Sequence, residues 1–532
     1  MHRLFGILYL DDKRTDIDSK GNHLKRFKSF LNNDELIIKT KRKEMNRTYA
    51  IINCIDKSVN EYVEHSILDN KLFTKMGTCN WSMKINNTTK QNLANYMIDL
   101  TPNRIDFESD NIISVDPPNC VDIDDAISCK IFENHIEIAI HIADPSSYIS
   151  RDSELGKELY NRIESLYIDD VQNMIPEDLS ITHISLIEQK KSRAYSCIIN
   201  IFCTDINKIS EHIRNKNYDY KFVKTHIKVN KNLSYDDFEK NIYVNKYYKI
   251  IYDIGKEILI GFKLEKFEYD SHKMIEAYML FCNHLAGISG LTNIKRINTI
   301  KEIKNVDAMC DKKLQELYNN CLQNSAKYVI SNDINNNKTD MHAGLGLVYT
   351  HFTSPMRRYV DYLNHIIMYE KQSEINNRIE HRIEHRIEQN YIDKINDIHR
   401  YYKKIYNLQN INDLIDLSDN NLVNNNLVNQ YYECVGKIIF IEDNMLRVLV
   451  NDKNIINNKT IINITLFNNK ILDNKIIMLK EKTEKNIIFT YKEKEIKFEL
   501  FQNINIKIYK IKLEINPFRI IINDILDFIE MN

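Results

Sequence analysis

Four aspartates, Asp116, Asp122, Asp124 and Asp125, fall within ten positions of the stretch SVDPPNCVDIDDAISCK (114–130), with Pro117 and Pro118 between the first two. Carboxylates about 4 Å apart repel by roughly 4 kcal/mol per pair at an effective dielectric near 20. Either a cation offsets that repulsion or the side chains splay into water. Hard oxygen donors gathered this way suit magnesium or manganese, which takes a few carboxylates and keeps positions for phosphate and water. Two other chemistries fit less well. A calcium-binding EF-hand loop needs Gly at its sixth position and Glu at its twelfth, and neither is present. A phosphatase-type nucleophilic aspartate wants a buried strand before it, and DPPNC is a poor one. A solvated acidic loop beside a hairpin is the plain alternative.

The elements around the cluster set what these groups can do. In an extended segment Asp122 and Asp124 face one way and Asp125 the other. The two prolines stiffen the approach and disfavour helix, which lets Asp116 fold back towards the later three. AISCKIF, the turn ENH and IEIAIHIAD read as a hairpin whose second strand alternates apolar and polar before His141. HKMIEAYMLFCNHLAG carries Ile275, Tyr278, Met279, Cys282 and Ala286 at helical spacing, with Gly287 as its stop. TSPMRRYVDYLNHIIMYEK offers Ser354 as N-cap and Pro355 as the first helical residue, with Met356, Tyr359, Val360, Leu363 and Ile367 as its apolar stripe.

Short strand-like runs (LFGILYL, DELIIKTKR, TYAIINCI) within residues 1–100 predict a small barrel. NNRIEHRIEHRIEQ (376–389) is a tetrapeptide repeat, expected to extend a helix on its solvent side. DNNLVNNNLVNQ (419–430) is an Asn-rich linker. After it, about five strand-like runs in the last hundred residues predict a second barrel.

The 532 residues, 43% hydrophobic and 28% charged, describe an ordinary soluble chain of several domains. No run approaches the roughly eighteen apolar residues of a membrane helix. The opening MHRLFGILYLDDKR lacks a small-residue cleavage site, so no signal peptide is expected. Ten cysteines are scattered with no CxxC pair, which argues against a zinc module or a disulfide framework and for a reducing, cytoplasmic setting. The net charge of −1 means that any polyanion site must be a local channel.

DPPNCVDIDDA resembles the DPxxxxDxDDA signature of the ribonuclease II/ribonuclease R superfamily, the RNB-domain exoribonucleases. HIADPSSYI (141–149), NRIESLYIDDVQNMIPEDLS (161–180), LSYDDFEK, MIEAYMLFCNHLA and HAGLGLVYTHFTSPMRRYVDY (342–362) are similar to later family segments, in the same order. The resemblance covers roughly 101–410 and implies an α+β fold: a central RNB catalytic domain, a mixed sheet with helices around an RNA channel, flanked by small OB-like barrels. The boundaries expected are a reduced cold-shock-type region at 1–100, the catalytic domain at 101–418, the linker at 419–430, and an RNA-binding OB barrel at 431–532.

The activity the resemblance implies is hydrolysis of single-stranded RNA from the 3′ end to nucleoside 5′-monophosphates with two magnesium ions, manganese being able to substitute. By the same resemblance Asp116, Asp122 and Asp124 are metal ligands, and Asp125 is a ligand or the group that positions water and metal. Arg357 contacts the scissile phosphate from a helix start that favours anions. Arg358 clamps a neighbouring phosphate or simply pairs with Asp361. Tyr167 matches the tyrosine that stacks on the terminal nucleotide. Glu276 and, more weakly, Tyr235 are ribose contacts. Asn283, seven residues after Glu276, can face the same channel. A second aromatic clamp is Phe262 or Phe267. His141 and His342 read as structural. Single-stranded RNA is the expected partner, with no membrane, no obligate protein partner, and a monomeric state. The rivals are a catalytically inactive RNB scaffold that binds RNA, and an endonuclease or DNA exonuclease.

Overall fold

The structure is a computed structural model that describes residues 3–9, 23–29, 35–40, 47–56, 61–65, 96–101, 103–107, 111–167, 171–264, 269–299, 318, 325–331, 341–377, 389–400, 402, 431–442, 445–450, 460–465, 478–483, 485–491 and 494–509. The chain divides into two compact units, each gathered from separate stretches: 1–79 with 300–324 and 400–532, and 80–299 with 325–399. The 419–430 linker, most of the 376–389 repeat and Phe267 lie outside the described residues.

In the first unit, strands β1 (Arg3–Tyr9), β2 (His23–Ser29), β3 (Glu35–Thr40), β4 (Arg47–Asp56) and β5 (Glu61–His65) close into a barrel in the order β1-β2-β3-β5-β4. The small barrel expected from the sequence is therefore present. Towards the C-terminus, Tyr431–Glu442, Met445–Val450, Thr460–Thr465 and Asn503–Tyr509 form a four-stranded sheet, while Met478–Lys482, Asn486–Tyr491 and Lys494–Glu499 form a three-stranded one. Seven strands stand there where about five were expected, in two sheets among the described residues.

The second unit holds the aspartates. Its mixed sheet is made of β6 (Ile105–Asp106), β7 (Ile113–Asp116), β8 (Asp125–Ile131), β9 (Ile136–Ala143), β12 (Lys191–Ile201), β13 (Tyr218–Lys228) and β14 (Lys231–Ser234), in the order β14-β7-β8-β9-β12-β13-β6. A two-stranded ribbon, β10 (Leu166–Tyr167) and β11 (Val171–Gln172), stands apart from it. The expected hairpin is β8 and β9, running antiparallel from Asp125↔Ile142 to Ile131↔Ile136. The strand period of two brings Ile136, Ile138, Ile140 and Ile142 to one face with Tyr195, Cys197, Ile199 and Ile201. This face packs on Ile251, Ile254, Ile258, Met274, Tyr278, Phe281 and Leu285. Side chains of this kind each stabilise the fold by about 1.5–3 kcal/mol when fully buried.

The helices that matter for the site are α1 (Glu154–Arg162), α2 (Tyr235–Asn241), α3 (Lys246–Phe262), α4 (Ser271–Ile288) and α5 (Tyr359–Asn377). Caps match their sequences: Ser153, Ser234, Asn245 and Asp270 each accept a backbone N–H of the first turn. Three local expectations are corrected. The second hairpin strand does not alternate with solvent, because β9 is central and covered on both faces; His141 is fully buried between Ser128 Oγ (3.2 Å) and Ser196 Oγ (2.7 Å). Gly287 does not end its helix, which continues to Ile288. A Cβ there would meet Val348 O at 3.3 Å, so the glycine serves close approach to the 348–349 backbone. Ser354 and Pro355 do not open a helix; they begin a turn, and α5 starts at Tyr359. The fully buried Asp361 accepts Ser354 N (2.8 Å) and Arg358 Nη2 (2.8 Å), and both Arg357 N and Arg358 N donate back to Ser354 O (3.3 and 3.0 Å). Those bonds hold the turn closed ahead of the helix. Met356, Tyr359, Val360, Leu363 and Ile367 are all buried, as the periodicity required.

Candidate active site

Asp116 is the last residue of β7 and Asp125 the first of β8. The two strands meet antiparallel at Ile113↔Ile127, and between them the chain turns at Pro117, with Cys120 N donating to Pro117 O (3.1 Å). This is how the prolines return Asp116 towards the other three. The intervening loop is tied down rather than free: Ile123 N donates to Ser185 Oγ (2.9 Å), Leu186 N to Ile123 O (3.1 Å), and Ala143 N to Asp124 O (2.7 Å).

Burial of this loop makes its negative charge expensive. Burial is the main cause raising the Asp116 carboxyl to about 6, and the Asp122 charge adds to it. Asp124 is pushed up to about 7 by burial, against the opposing pull of Arg357 and the Met356 N–H. Asp125 is raised well above the usual range by burial and by Asp116 and Asp124. One oxygen of Asp116, Oδ2, is buried with no hydrogen-bond partner among the described residues.

Asp124 does not simply face its neighbours. Its Oδ1 accepts Met356 N (3.1 Å) and its Oδ2 lies 3.5 Å from Arg357 Nε. It thus links the aspartate loop to the TSPMRRY turn. Arg357 donates through Nη2 to Ser354 Oγ (2.9 Å) and keeps 44% of its side chain exposed. Arg358 is directed elsewhere: it holds Asp361, and its Nε is buried without a hydrogen-bond partner among the described residues. Of the two roles expected for it, the Asp361 pair is the one the structure contains.

The segment that leads to Tyr167 is tied to the Arg357 backbone, because Ser165 N donates to Arg357 O (2.9 Å) and Tyr359 N to Ile163 O (2.8 Å). Ile163, a β-branched residue at φ +69°, makes the turn that allows both bonds. Such a conformation costs of order 1–3 kcal/mol and persists only where surrounding contacts enforce it. Tyr167 is 47% exposed.

Tyr235 enters the site through strand register. β14 pairs parallel with β7, placing Ser234 opposite Asp116, and Tyr235 follows as the first residue of α2. Glu276, on the first turns of α4, is exposed and ion-paired with Lys273. Asn283, on the same helix, does not share that environment. It is buried, and its amide donates to Tyr349 OH (3.0 Å) and Thr353 Oγ1 (3.1 Å) while accepting Phe352 N (2.8 Å). The expectation of an RNA contact from Asn283 is therefore corrected: it fixes the 349–353 segment leading to Arg357. Seven-residue spacing shows which residues share a helix face but not which end of that face is covered. Phe262 packs its ring edge-on to Phe281 (5.2 Å) and His284 (5.4 Å) at the end of α3. His342 is partly buried, and burial lowers it to about 4.

Met356 N is a part of the site that sequence reasoning missed, since a backbone N–H carries no signal in the sequence; Asp361 was foreseen as a partner of Arg358, but its second bond, from Ser354 N, was not.

The donor set suits a divalent cation, with hard carboxylates, an orphaned buried oxygen on Asp116, and charge that burial leaves uncompensated. Among the described residues no three His, Cys, Asp or Glu side chains surround a common point, so the cage is not preformed in this conformation.

The RNB domain family matches residues 104–249 and 288–374. Ribonuclease R 2 of Lactococcus lactis is 25% identical over 343 residues, 52% of this chain and 50% of that protein. The human exosome complex exonuclease RRP44 is 41% identical over 98 residues, 18% of this chain and 10% of that protein. The chain thus matches half or less of the length of these curated relatives. Among solved structures, Mycoplasma genitalium RNase R in complex with ribose-methylated single-stranded RNA superposes with a TM-score of 0.64 at 16% identity, covering 96% of this chain and 88% of the other. Yeast Ssd1, described as a pseudonuclease, superposes at 0.58 with 14% identity, covering 84% of this chain and 63% of its own. At these identities the structural likeness carries the fold alone.

Proposed function

We propose, from the match of residues 104–249 and 288–374 to the RNB domain family and the likeness to ribonuclease R 2, that this protein is a 3′→5′ hydrolytic exoribonuclease that degrades single-stranded RNA to nucleoside 5′-monophosphates. The observation that carries the reading is the junction of Asp124 with Arg357 and Met356 N, which ties the aspartate loop to an exposed guanidinium. Water attacks the phosphorus of the last linkage, the bond from phosphorus to the preceding 3′-oxygen breaks, and that oxygen leaves with a proton. Asp116, Asp122 and Asp124, with Asp125, would hold two magnesium ions, or manganese in their place; such ions, when bound, supply an activated water and charge stabilisation on the leaving oxygen.

The remaining roles belong to the chain itself. Arg357 binds the scissile phosphate and steadies its developing charge. Tyr167 stacks on the terminal base, an interaction worth about 1–3 kcal/mol. Tyr235 and Glu276 read the ribose. Arg358 acts on RNA only indirectly, by holding Asp361 and the turn. Because the protein is near neutral overall, binding relies on local cationic side chains and weakens as salt rises. We place the catalytic domain at 101–418, with RNA-binding β modules at 1–100 and 431–532, in a monomeric, cytoplasmic protein. None of the described helices is long and apolar enough to cross a membrane.

A second reading, an RNA-binding scaffold without activity, draws support from the likeness to Ssd1. Full-length wild-type and Asp125→Asn proteins, incubated with labelled RNA and magnesium, separate the two. Release of monophosphates by the wild type alone supports the nuclease; equal release by both, or none by either, removes the assignment.

A further inference from the structure

His272 lies at the second position of α4, exposed, and its ring stacks on that of Tyr235 with centroids 3.5 Å apart and planes 22° from parallel. No hydrogen bond engages either ring nitrogen of His272 or the Tyr235 hydroxyl among the described residues. A second tie lies beside the stack. Glu239, four residues after Tyr235 on α2, accepts both Ser271 N (3.1 Å) and Ser271 Oγ (2.6 Å) at the start of α4. Two helices are thus docked at their near ends by one stacked pair and one carboxylate.

The consequence for the site follows from helix geometry. His272 and Glu276 are one turn apart on the same face of α4. Tyr235 reaches that face from α2, and α2 begins beside Asp116 because Ser234 and Asp116 are register partners. Tyr235, beside the strand end that carries Asp116, thus stacks on the face of α4 that bears both His272 and Glu276. An aromatic ring held by stacking on one side has a fixed plane and a fixed hydroxyl position, so its hydrogen bond carries geometric selectivity.

We infer that His272 is the positioning residue for ribose recognition: by stacking on Tyr235 it fixes the tyrosine hydroxyl against the sugar and aligns it with Glu276, so that preference for a 2′-hydroxyl depends on this histidine. His272 acts through Tyr235 and is not itself a catalytic residue. The inference rests on the proposed RNA-degrading function, and it specifies how that site tells ribose from deoxyribose.

The test compares full-length wild type, His272→Ala and His272→Phe. Binding of a labelled RNA oligonucleotide, and of copies carrying one 2′-deoxy substitution at each of the three 3′-terminal positions, is measured by fluorescence anisotropy in EDTA. The wild type is expected to prefer the all-ribose strand at one of these positions. In His272→Ala that preference falls by about fivefold to tenfold, the worth of one hydrogen bond, while affinity for the substituted strand changes little. His272→Phe, which keeps a stacking face, retains the preference; this separates positioning from misfolding. Three results overturn the inference: a wild type indifferent to the 2′-hydroxyl, a His272→Ala protein with an unchanged ratio, or a His272→Phe protein that loses it equally. A parallel magnesium-dependent digestion by the wild type reports on the nuclease reading separately. If it yields no monophosphate, that reading fails, and the binding ratio still decides the role of His272.

Discussion

Asp144 supplies the most demanding test of the polar core beneath the site. Its carboxylate is fully buried and accepts Arg104 Nη2 (2.6 Å), Lys224 Nζ (2.8 and 2.9 Å) and Ser146 Oγ (2.5 Å), with His365 Nδ1 at 3.6 Å. Although burial opposes ionisation, Lys224 and Arg104 hold the carboxyl well below its ordinary range. Lys224 is itself pushed down to about 8 by burial, so the charged pair exists because Asp144 is present. Asp144→Asn removes the anion and keeps the shape. Two buried cations then face a neutral amide. Arg104 retains Asp99 at 2.9 Å, but Lys224 is left with Ser146 Oγ (2.9 Å) and no carboxylate partner among the described residues. Breaking a buried pair in this way costs about 3–5 kcal/mol. For a unit of this size each kcal/mol moves Tm by roughly 2–4 °C, so a fall of about 6–20 °C is expected.

The pH dependence of that fall has a definite sign. With its anion gone, Lys224 has a folded pKa depressed further below its unfolded value, so the variant's deficit grows as pH drops from 9 to 6 and shrinks as it rises. Thermal unfolding at pH 6 and 9, with Asp144→Asn/Lys224→Met as the rescuing pair, measures this. A single variant melting within a degree of wild type, or a deficit larger at pH 9, would show that the charged state of Lys224 does not depend on Asp144. The same network reaches the segment that leads to Arg357, since His365 Nε2 lies 2.9 Å from Phe352 O.

Three further outcomes are expected. Tyr167→Ala weakens RNA binding by about 1–3 kcal/mol in a titration, while Tyr167→Trp retains it, if the ring stacks on a base. Arg357→Ala lowers kcat by about 10²–10³ with little change in Tm, whereas Arg358→Ala chiefly lowers Tm because it leaves the buried Asp361 with the Ser354 N–H but without its cationic partner; the reverse pattern contradicts these two roles. His141, lowered to about 3 by burial, stays neutral when folded while the unfolded chain takes up a proton below about 6.5. Its contribution is complete above pH 6.5 and is lost as pH falls from there towards 3, about 2 kcal/mol between pH 7 and 5. Denaturation midpoints of wild type and His141→Gln at those two pH values show whether the variant flattens that slope.

Local patterns in the sequence located several parts of this architecture and missed others for identifiable reasons. The hairpin from Asp125 to Ala143 follows from alternating isoleucines and a short polar turn, both short-range signals. The buried stripe of α5 follows from helical spacing, but its start does not, because Asp361 captures Ser354 N across the turn and outweighs the Ser-Pro start signal. Gly287 resembled a stop, and only the nearby 348–349 backbone explains a glycine inside a helix. Asn283 shared a face with Glu276 by spacing, yet the 349–353 segment covers its end of α4. The aspartates were legible as a cluster. Their junction with Arg357 joins residues more than 230 positions apart, as does the bond from Met356 N to Asp124, and such pairings are set by tertiary packing. The Tyr235–His272 stack and the Asp144 network are of the same long-range kind.

In the proposed function the aspartate loop and Arg357 form a centre for removing nucleotides from an RNA 3′ end. Its most direct test is a time course of wild-type protein on a 5′-labelled single-stranded RNA with magnesium, and again with EDTA, with products identified by mass. Shortening one nucleotide at a time from the 3′ end, nucleoside 5′-monophosphates as the small product, and arrest in EDTA are predicted. Internal fragments, 3′-phosphorylated products, or RNA that stays bound and intact in magnesium would contradict it.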